Sequence, residues 1–252
     1  MVRTFFHLSV GELVGKSVWI HFRNLVPFTV MAALILSPWI ALTLFLPDWT
    51  ADFDLRNQGD MLQLRGIAIG MFLLQTLLGF MLAGSLTYGV VQQLRGEPAG
   101  IVVAISQGLQ SFGRVLGTAL LCGLRILGYT LLLYVPGVIE QIKLFVAVPA
   151  AVMEGKSASA AVERSIRLTD GSRWQIFGAW LLVALLGFGL GLLMVALFHM
   201  DDTDWDVENP WFDIAIQLLL APFAATMGAT GYFLLRKGKE NIDVREISAV
   251  FD

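Results

Sequence analysis

Six apolar runs follow one another along this chain, at about 24–46, 62–91, 114–135, 137–153, 174–199 and 211–235, and the charges between them are sorted by sign. A helix needs about 20 apolar residues to cross a ~30 Å hydrocarbon core at ~1.5 Å per residue. On one side of the runs lie Arg3, Lys16, Arg23, Arg95, Arg114, Lys156, Arg164, Arg167, Arg173, Arg236, Lys237, Lys239 and Arg245. On the other lie Asp48, Asp52, Asp54, Asp60, Asp201, Asp202, Asp204, Asp206 and Glu208. Basic residues mark the cytoplasmic face of a membrane protein. The pattern predicts an all-α integral protein of the inner (cytoplasmic) membrane, multi-pass, with both termini cytoplasmic.

Composition agrees. The chain is 252 residues long, 56% hydrophobic and only 15% charged, where soluble domains run near about 25% charged. The longest polar stretch is the tail from Arg236, so we expect a single six-span domain over 1–235 and a short cytoplasmic tail over 236–252. The first apolar run begins too late and runs too long for a cleavable signal, and reads as a retained span. Nucleic acid is not an expected partner, because the basic residues sit at membrane boundaries. One cysteine, Cys122, excludes an intramolecular disulfide within these residues.

Shorter amphipathic stretches precede the runs in pairs. Ser9-Val10-Gly11-Glu12 fits a capping box, and Leu13, Val14, Ser17, Val18, His21 and Phe22 then recur on one helical face. Residues 99–112 and 157–170 carry similar faces, through Ile101, Ile105, Leu109 and Phe112, and through Ala158, Ala161, Val162, Ser165 and Ile166. The expectation is three hairpins, each preceded by an amphipathic helix in the interface, with pseudo-repeats near 1–91, 99–153 and 157–235. Asp60 with Gln63 is expected to cap the second span, Asn209-Pro210 the sixth, and Pro136-Gly137 to turn between the third and fourth. Pro38, Pro149 and Pro222 should bend their spans. Gly66/Gly70, Gly79/Ala83, Gly113/Gly117 and Gly187/Gly191 are small-xxx-small pairs, expected at helix contacts within the chain or at a dimer interface.

Three charges fall inside the runs: Arg125, Glu140 and Lys143. Arg125 lies roughly 16 Å into its span, and Glu140 and Lys143 about 6 and 10 Å beyond the Pro136 turn. A long Arg side chain reaches Glu140 across the hairpin, and an unpaired charge at that depth costs several kcal/mol, so pairing is expected. The set is a functional site or a structural ion pair with Lys143 reaching outward. Lys16, Arg23, Arg164, Arg167 and Arg173 are candidates to hold anionic headgroups.

Other motifs carry less. Asp202-Thr203-Asp204-Trp205-Asp206 resembles the first half of a calcium loop, but Val207 stands where the turn needs Gly. An acidic outward loop is the better reading. Gly15-Lys16-Ser17 and Gly155-Lys156-Ser157 lack the upstream glycine spacing of a phosphate loop. No nucleophile, base and metal-ligand set stands out, so no catalytic residue, cofactor or metal is expected.

Between Pro136 and Gly178 the chain carries Pro136-Gly137, Val148-Pro149, Glu154-Gly155, Ala161, Arg164-Ser165, Leu168-Thr169, Gly171 and Trp174, after an opening Leu8-Ser9-Val10-Gly11-Glu12-Leu13. In these it resembles the bacterial membrane domain found fused to some glycerophosphoryl diester phosphodiesterases, and its free-standing relatives. The resemblance implies a six-span inner-membrane fold of undefined biochemical role. In the fused members catalysis belongs to a separate soluble domain, so no activity carries over. The matching positions are expected to keep the fold, with Glu154 and Arg164 pairing at the cytoplasmic boundary.

Two functional readings stand ahead of a third, a membrane-embedded enzyme, for which the sequence offers no nucleophile and base. One is a non-catalytic scaffold or accessory subunit in a lipid-linked process, binding membrane lipids and a protein partner at its cytoplasmic helices or tail. The alternative is a transporter or channel for a lipid or small solute.

Overall fold

The computed structural model describes residues 8–50, 56–97, 100–198 and 210–240. Among them the regular elements are all helices: α1 (Val10–Arg23), α2 (Leu25–Thr50), α3 (Gln58–Leu94), α4 (Ile101–Leu132), α5 (Tyr134–Lys143), α6 (Ala147–Met153), α7 (Ala158–Thr169), α8 (Arg173–Phe198) and α9 (Pro210–Glu240). Among the described residues, five stretches are long and apolar enough to cross a membrane: Leu25–Leu46, Gln58–Leu94, Ile101–Leu132, Tyr134–Met153 and Ile214–Glu240. α8 adds a shorter apolar stretch, Arg173–Gly189.

The core forms where α3, α9, α2 and α4 meet. α2 buries Phe28, Met31, Ala32, Ile35 and Leu36 at helical spacing, while Val26, Val30, Leu34 and Phe45 face outward. Leu62, Ile69, Phe72 and Leu73 of α3 and Leu124 and Leu131 of α4 are also exposed. α3 ends at a tight cap: Gly96 has φ +85°, and the Gly96 and Glu97 amides donate to the Gln93 and Gln92 carbonyls at 3.0 Å each. That left-handed residue satisfies carbonyls that the helix end would otherwise orphan.

Several local expectations need correction. The stretch 99–112 is no separate interfacial helix, because α4 runs unbroken from Ile101 through Gly113-Arg114 to Leu132. A single helical glycine costs only about 1 kcal/mol, and no residue there blocks continuation. The capping box at Ser9 does not form: Ser9 makes no side-chain cap, and Glu12 instead meets Lys16 Nζ at 2.8 Å. α3 is capped by Asn57, whose side chain accepts from the Gly59 amide at 2.9 Å, so Asp60 already lies inside the helix. On α1, Leu13, Val14, Ser17, Ile20 and His21 are buried, whereas Phe22 is exposed. The buried stripe is thus turned toward Ile20, against α9 and α8.

The turn after α4 lies at Leu133, an extended residue with φ −160° and ψ 145°, and Pro136-Gly137 sits inside α5. Pro136 is tolerated there because the first-turn amides of a helix have no intrahelical acceptor. Gly137 is required for contact: a Cβ would overlap Thr130 Oγ1 and approach Thr130 Cα to 3.1 Å. The fourth apolar run then breaks over Leu144–Val146, between α5 and α6. Pro149 explains the position. In a continuous helix it would lack a donor to the Phe145 carbonyl and its ring would clash with that oxygen.

The expected small-residue pairs are mostly not where helices meet. Added Cβ atoms on Gly66, Gly70, Gly79, Gly113 and Gly187 would touch nothing within 4 Å. Close approach occurs instead between α3 and α4, where a Cβ on Gly108 would overlap Ser85 Oγ and come within 2.9 Å of the Ser85 backbone nitrogen. Residues 236–240 continue α9 as helix, so the predicted tail boundary falls inside an element. Asn209, the acidic run 201–208, Arg3 and the tail beyond 240 lie outside the described residues.

Candidate functional site

The chemistry of the described residues gathers on either side of the α5–α6 break. On the α4 side, Glu140 is 1% exposed and both of its oxygens are engaged. Arg125 Nε donates to Oε1 at 2.8 Å, and Lys143 Nζ donates to Oε2 at 3.1 Å. The expected Arg125–Glu140 pair therefore forms, and Lys143, one turn on, joins it. The three side chains staple α4 to α5.

At the break itself, backbone groups that the helix leaves open are met by α7. Ser165 Oγ donates to the Lys143 carbonyl at 2.8 Å and accepts from the Val146 amide at 3.2 Å. Thr169 Oγ1 lies 3.2 Å from the same carbonyl. Ser165 and Thr169 are fully buried. Non-helical backbone buried within protein is stable only where other groups satisfy it in this way.

Beyond α6 a second ionic cluster ties three elements together. Glu154, next after α6, accepts from Arg164 Nε of α7 at 2.8 and 3.0 Å and from Tyr232 Oη of α9 at 2.9 Å. Lys156 Nζ stands 3.4 Å from it. Arg164 also pairs with Glu240 through Nη2. Arg236 completes the ring, donating to Glu240 Oε2 and to Tyr232 Oη at 3.0 Å each. Burial alone would push the Glu154 carboxyl up, but hydrogen bonds and charge from Arg164, with the Tyr232 bond, hold it below the ordinary value. Burial likewise pulls Arg164 down, and its bonds to Glu154 and Glu240 outweigh it and raise it.

From sequence, Arg236 stands only as a boundary cation at the start of a tail, unconnected with Tyr232 and Glu240. Their spacing of four places them on one face of α9, which is the signal that would have found them. Arg164 is committed to Glu154 and Glu240 and is not free for a headgroup. The remaining basic candidates stay nearer the surface. Lys16 meets Glu12, Arg23 stacks over Trp19 at 4.8 Å, Arg167 is 3.7 Å from Glu163, and Arg173 Nη2 is 3.2 Å from Asp170.

Two clefts flank these clusters. One, of about 540 Å³, lies beside the break, with Thr87, Cys122, Gly123, Gln141, Phe145 and Gly228 among its lining residues. The other, about 470 Å³, runs between α5 and α8. Both are walled mainly by apolar side chains. His21 is buried edge-on against Phe22 and Phe223, and burial pulls its imidazole below the ordinary value. Such an arrangement can hold a hydrophobic chain and lock helices together. Among the described residues, no three His, Cys, Asp or Glu side chains group as a metal site. Compared with family models, curated proteins and solved structures, the chain matches none of them.

Proposed function

We propose that this chain is a non-catalytic, multi-pass protein of the inner membrane that acts as a scaffold or accessory subunit in a lipid-linked process. In this reading α2, α3, α4, α5–α6, α8 and α9 are six spans in three hairpins, with both termini cytoplasmic. α1 and α7 lie at the cytoplasmic boundary.

One observation carries the reading. Apolar side chains cover the outward faces of the long helices, while the buried charges pair with one another. In water, apolar patches of that extent drive association; in a bilayer they are the contact surface. The Arg125–Glu140–Lys143 and Glu154–Arg164–Tyr232 groups hold the fold, in keeping with the proposed kinship to the membrane domain that accompanies phosphodiesterases. Gentle extraction followed by native mass spectrometry tests the proposal. A stoichiometric protein partner supports it, and a chain that fractionates without membranes overturns it.

The cleft beside the α5–α6 break favours one second reading, transport of a lipid or small solute. Interrupted helices commonly line substrate paths in transporters. Flux into proteoliposomes that Gly123→Leu abolishes would support it, since Gly123 has open space for a side chain.

A further inference from the structure

We propose that the groove between α5 and α8 binds one anionic phospholipid, with an acyl chain along the groove and its phosphate on Arg173. The proposal rests on the membrane-spanning reading and names the ligand class for that surface.

The groove has a built polarity. Val138, Ile139 and Ile142 form one wall and Phe177 and Trp174 the other, around a volume of about 470 Å³. That lies within the ~300–1,000 Å³ of small-molecule sites. Arg173 is at the Lys143 end of α5, because Thr169, four residues before it, bonds the Lys143 carbonyl. Tyr134 lies at the opposite end, about 12 Å away along α5 at helical rise. A chain laid between them meets hydrocarbon throughout and a cation at one end only. Trp174 stands exposed beside that end, as aromatic residues do at headgroup level.

The cationic end has an unmet donor. Arg173 Nη2 is engaged by Asp170, but Arg173 Nε is buried and has no acceptor. That N–H is closed to a ligand, so a phosphate would meet the terminal guanidinium nitrogens of Arg173, on a side chain that is 36% exposed, through charge-assisted bonds. The same turn carries surplus positive charge. Lys239 Nζ donates to the backbone carbonyls of Arg167, at 3.1 Å, and Asp170, so a second cation is held at this turn beside Arg173, where the Asp170 carboxylate pairs with Arg173. Asp170 is largely exposed to solvent, which screens it. This balance selects a lipid with net negative charge over a zwitterionic lipid with the same phosphate.

The test titrates the full, delipidated chain in detergent with phosphatidylglycerol and phosphatidylcholine of identical acyl chains. Bound lipid is counted by native mass spectrometry, with inorganic phosphate as a third probe. The wild type should hold one phosphatidylglycerol at concentrations at least tenfold below those needed for phosphatidylcholine. Inorganic phosphate should not compete, since the chain supplies much of the affinity. Arg173→Gln should erase the preference. Val138→Trp, which fills the groove and leaves Arg173 in place, should lower retention of both lipids, and Arg167→Gln should change nothing. Equal retention of the two lipids by the wild type, or retention unaffected by Arg173→Gln and Val138→Trp alike, overturns the proposal. Competition by inorganic phosphate overturns the acyl-chain half of it. If Arg173→Gln fails to fold, the wild-type preference and Val138→Trp decide. A chain that never enters membranes fails in fractionation, before any lipid is added, so the two failures are distinguishable.

Discussion

Arg125 and Glu140 meet across the α4–α5 turn, with Arg125 Nε 2.8 Å from Glu140 Oε1, and Glu140 is the buried partner. Removing one member of such a pair strands the other, and costs about 3–5 kcal/mol in proteins. Replacing both by apolar groups is much milder. Glu140→Leu should therefore be the most damaging single change, since it strands two cations. Arg125→Ala should be less so, because Lys143 still serves Glu140 at 3.1 Å. The double Arg125→Leu/Glu140→Leu should recover stability relative to Glu140→Leu. Equilibrium unfolding in detergent reads the order directly, and a double variant worse than both singles would refute the pairing account.

The Glu154 cluster carries a pH signature. Its carboxyl is held below the ordinary 4.5 by Arg164 and Tyr232 despite burial. Between that lowered value and 4.5 the unfolded chain binds the proton more readily, so acid favours unfolding in that window. The stability from Glu154 is complete above pH 4.5 and is lost as pH falls through the folded-state value. Melting temperatures across pH 8 to about 3 should show wild type and Glu154→Gln furthest apart at neutral pH and converging under acid. A constant gap would mean that the carboxylate charge is not what Glu154 contributes.

Much of this was legible in sequence because hydropathy and charge act locally. Five of the six apolar runs became long helices and the fourth a broken pair, and Arg125 with Glu140 could be paired from helical rise alone. The errors have physical causes. Neither a lone Gly113 nor Pro136 marks a helix boundary by itself, because one glycine costs a helix only about 1 kcal/mol and a first-turn amide needs no intrahelical acceptor. Which glycine meets another helix depends on packing, as where Ser85 of α3 faces Gly108 of α4. Small-residue spacing marks a helix face that permits close approach but does not name its partner. Gly66 and Gly70 have the spacing and no neighbour, whereas Gly84 and Gly108 have the contact. The Tyr232–Arg236–Glu240 face was overlooked because Arg236 reads as the start of a tail when only polarity is weighed.

That contrast gives a paired prediction. Gly108→Ala places a methyl against Ser85, including its backbone nitrogen at 2.9 Å, so α3 and α4 must separate. Overpacking of that kind costs about 1–3 kcal/mol. Gly66→Ala and Gly70→Ala meet open space, and in a helix Ala is favoured over Gly by roughly 0.5–1 kcal/mol. Thermal unfolding should fall for the first and hold or rise for the others. A destabilising Gly66→Ala would instead show that this face is covered in the membrane by another copy or partner.

The hydroxyl of Ser165 serves both sides of the broken helix, accepting from Val146 and donating to Lys143. Ser165→Ala leaves the Val146 amide without its acceptor and the Lys143 carbonyl with Thr169 alone. An unmet buried polar group costs about 1–3 kcal/mol. Ser165→Ala should lower stability by that order, and Ser165→Ala/Thr169→Val further, since the Thr169 hydroxyl, 2.9 Å from the Ser165 carbonyl, can otherwise turn to the Lys143 carbonyl 3.2 Å away. Thr169→Val alone should be mild, because Ser165 keeps the shorter of the two bonds. Hydrogen exchange provides the local check. Protection at the Val146 amide should drop in Ser165→Ala, while amides in the middle of α3 exchange as in wild type. Loss of protection spread evenly over the chain would mean that α7 supports the whole bundle rather than the break.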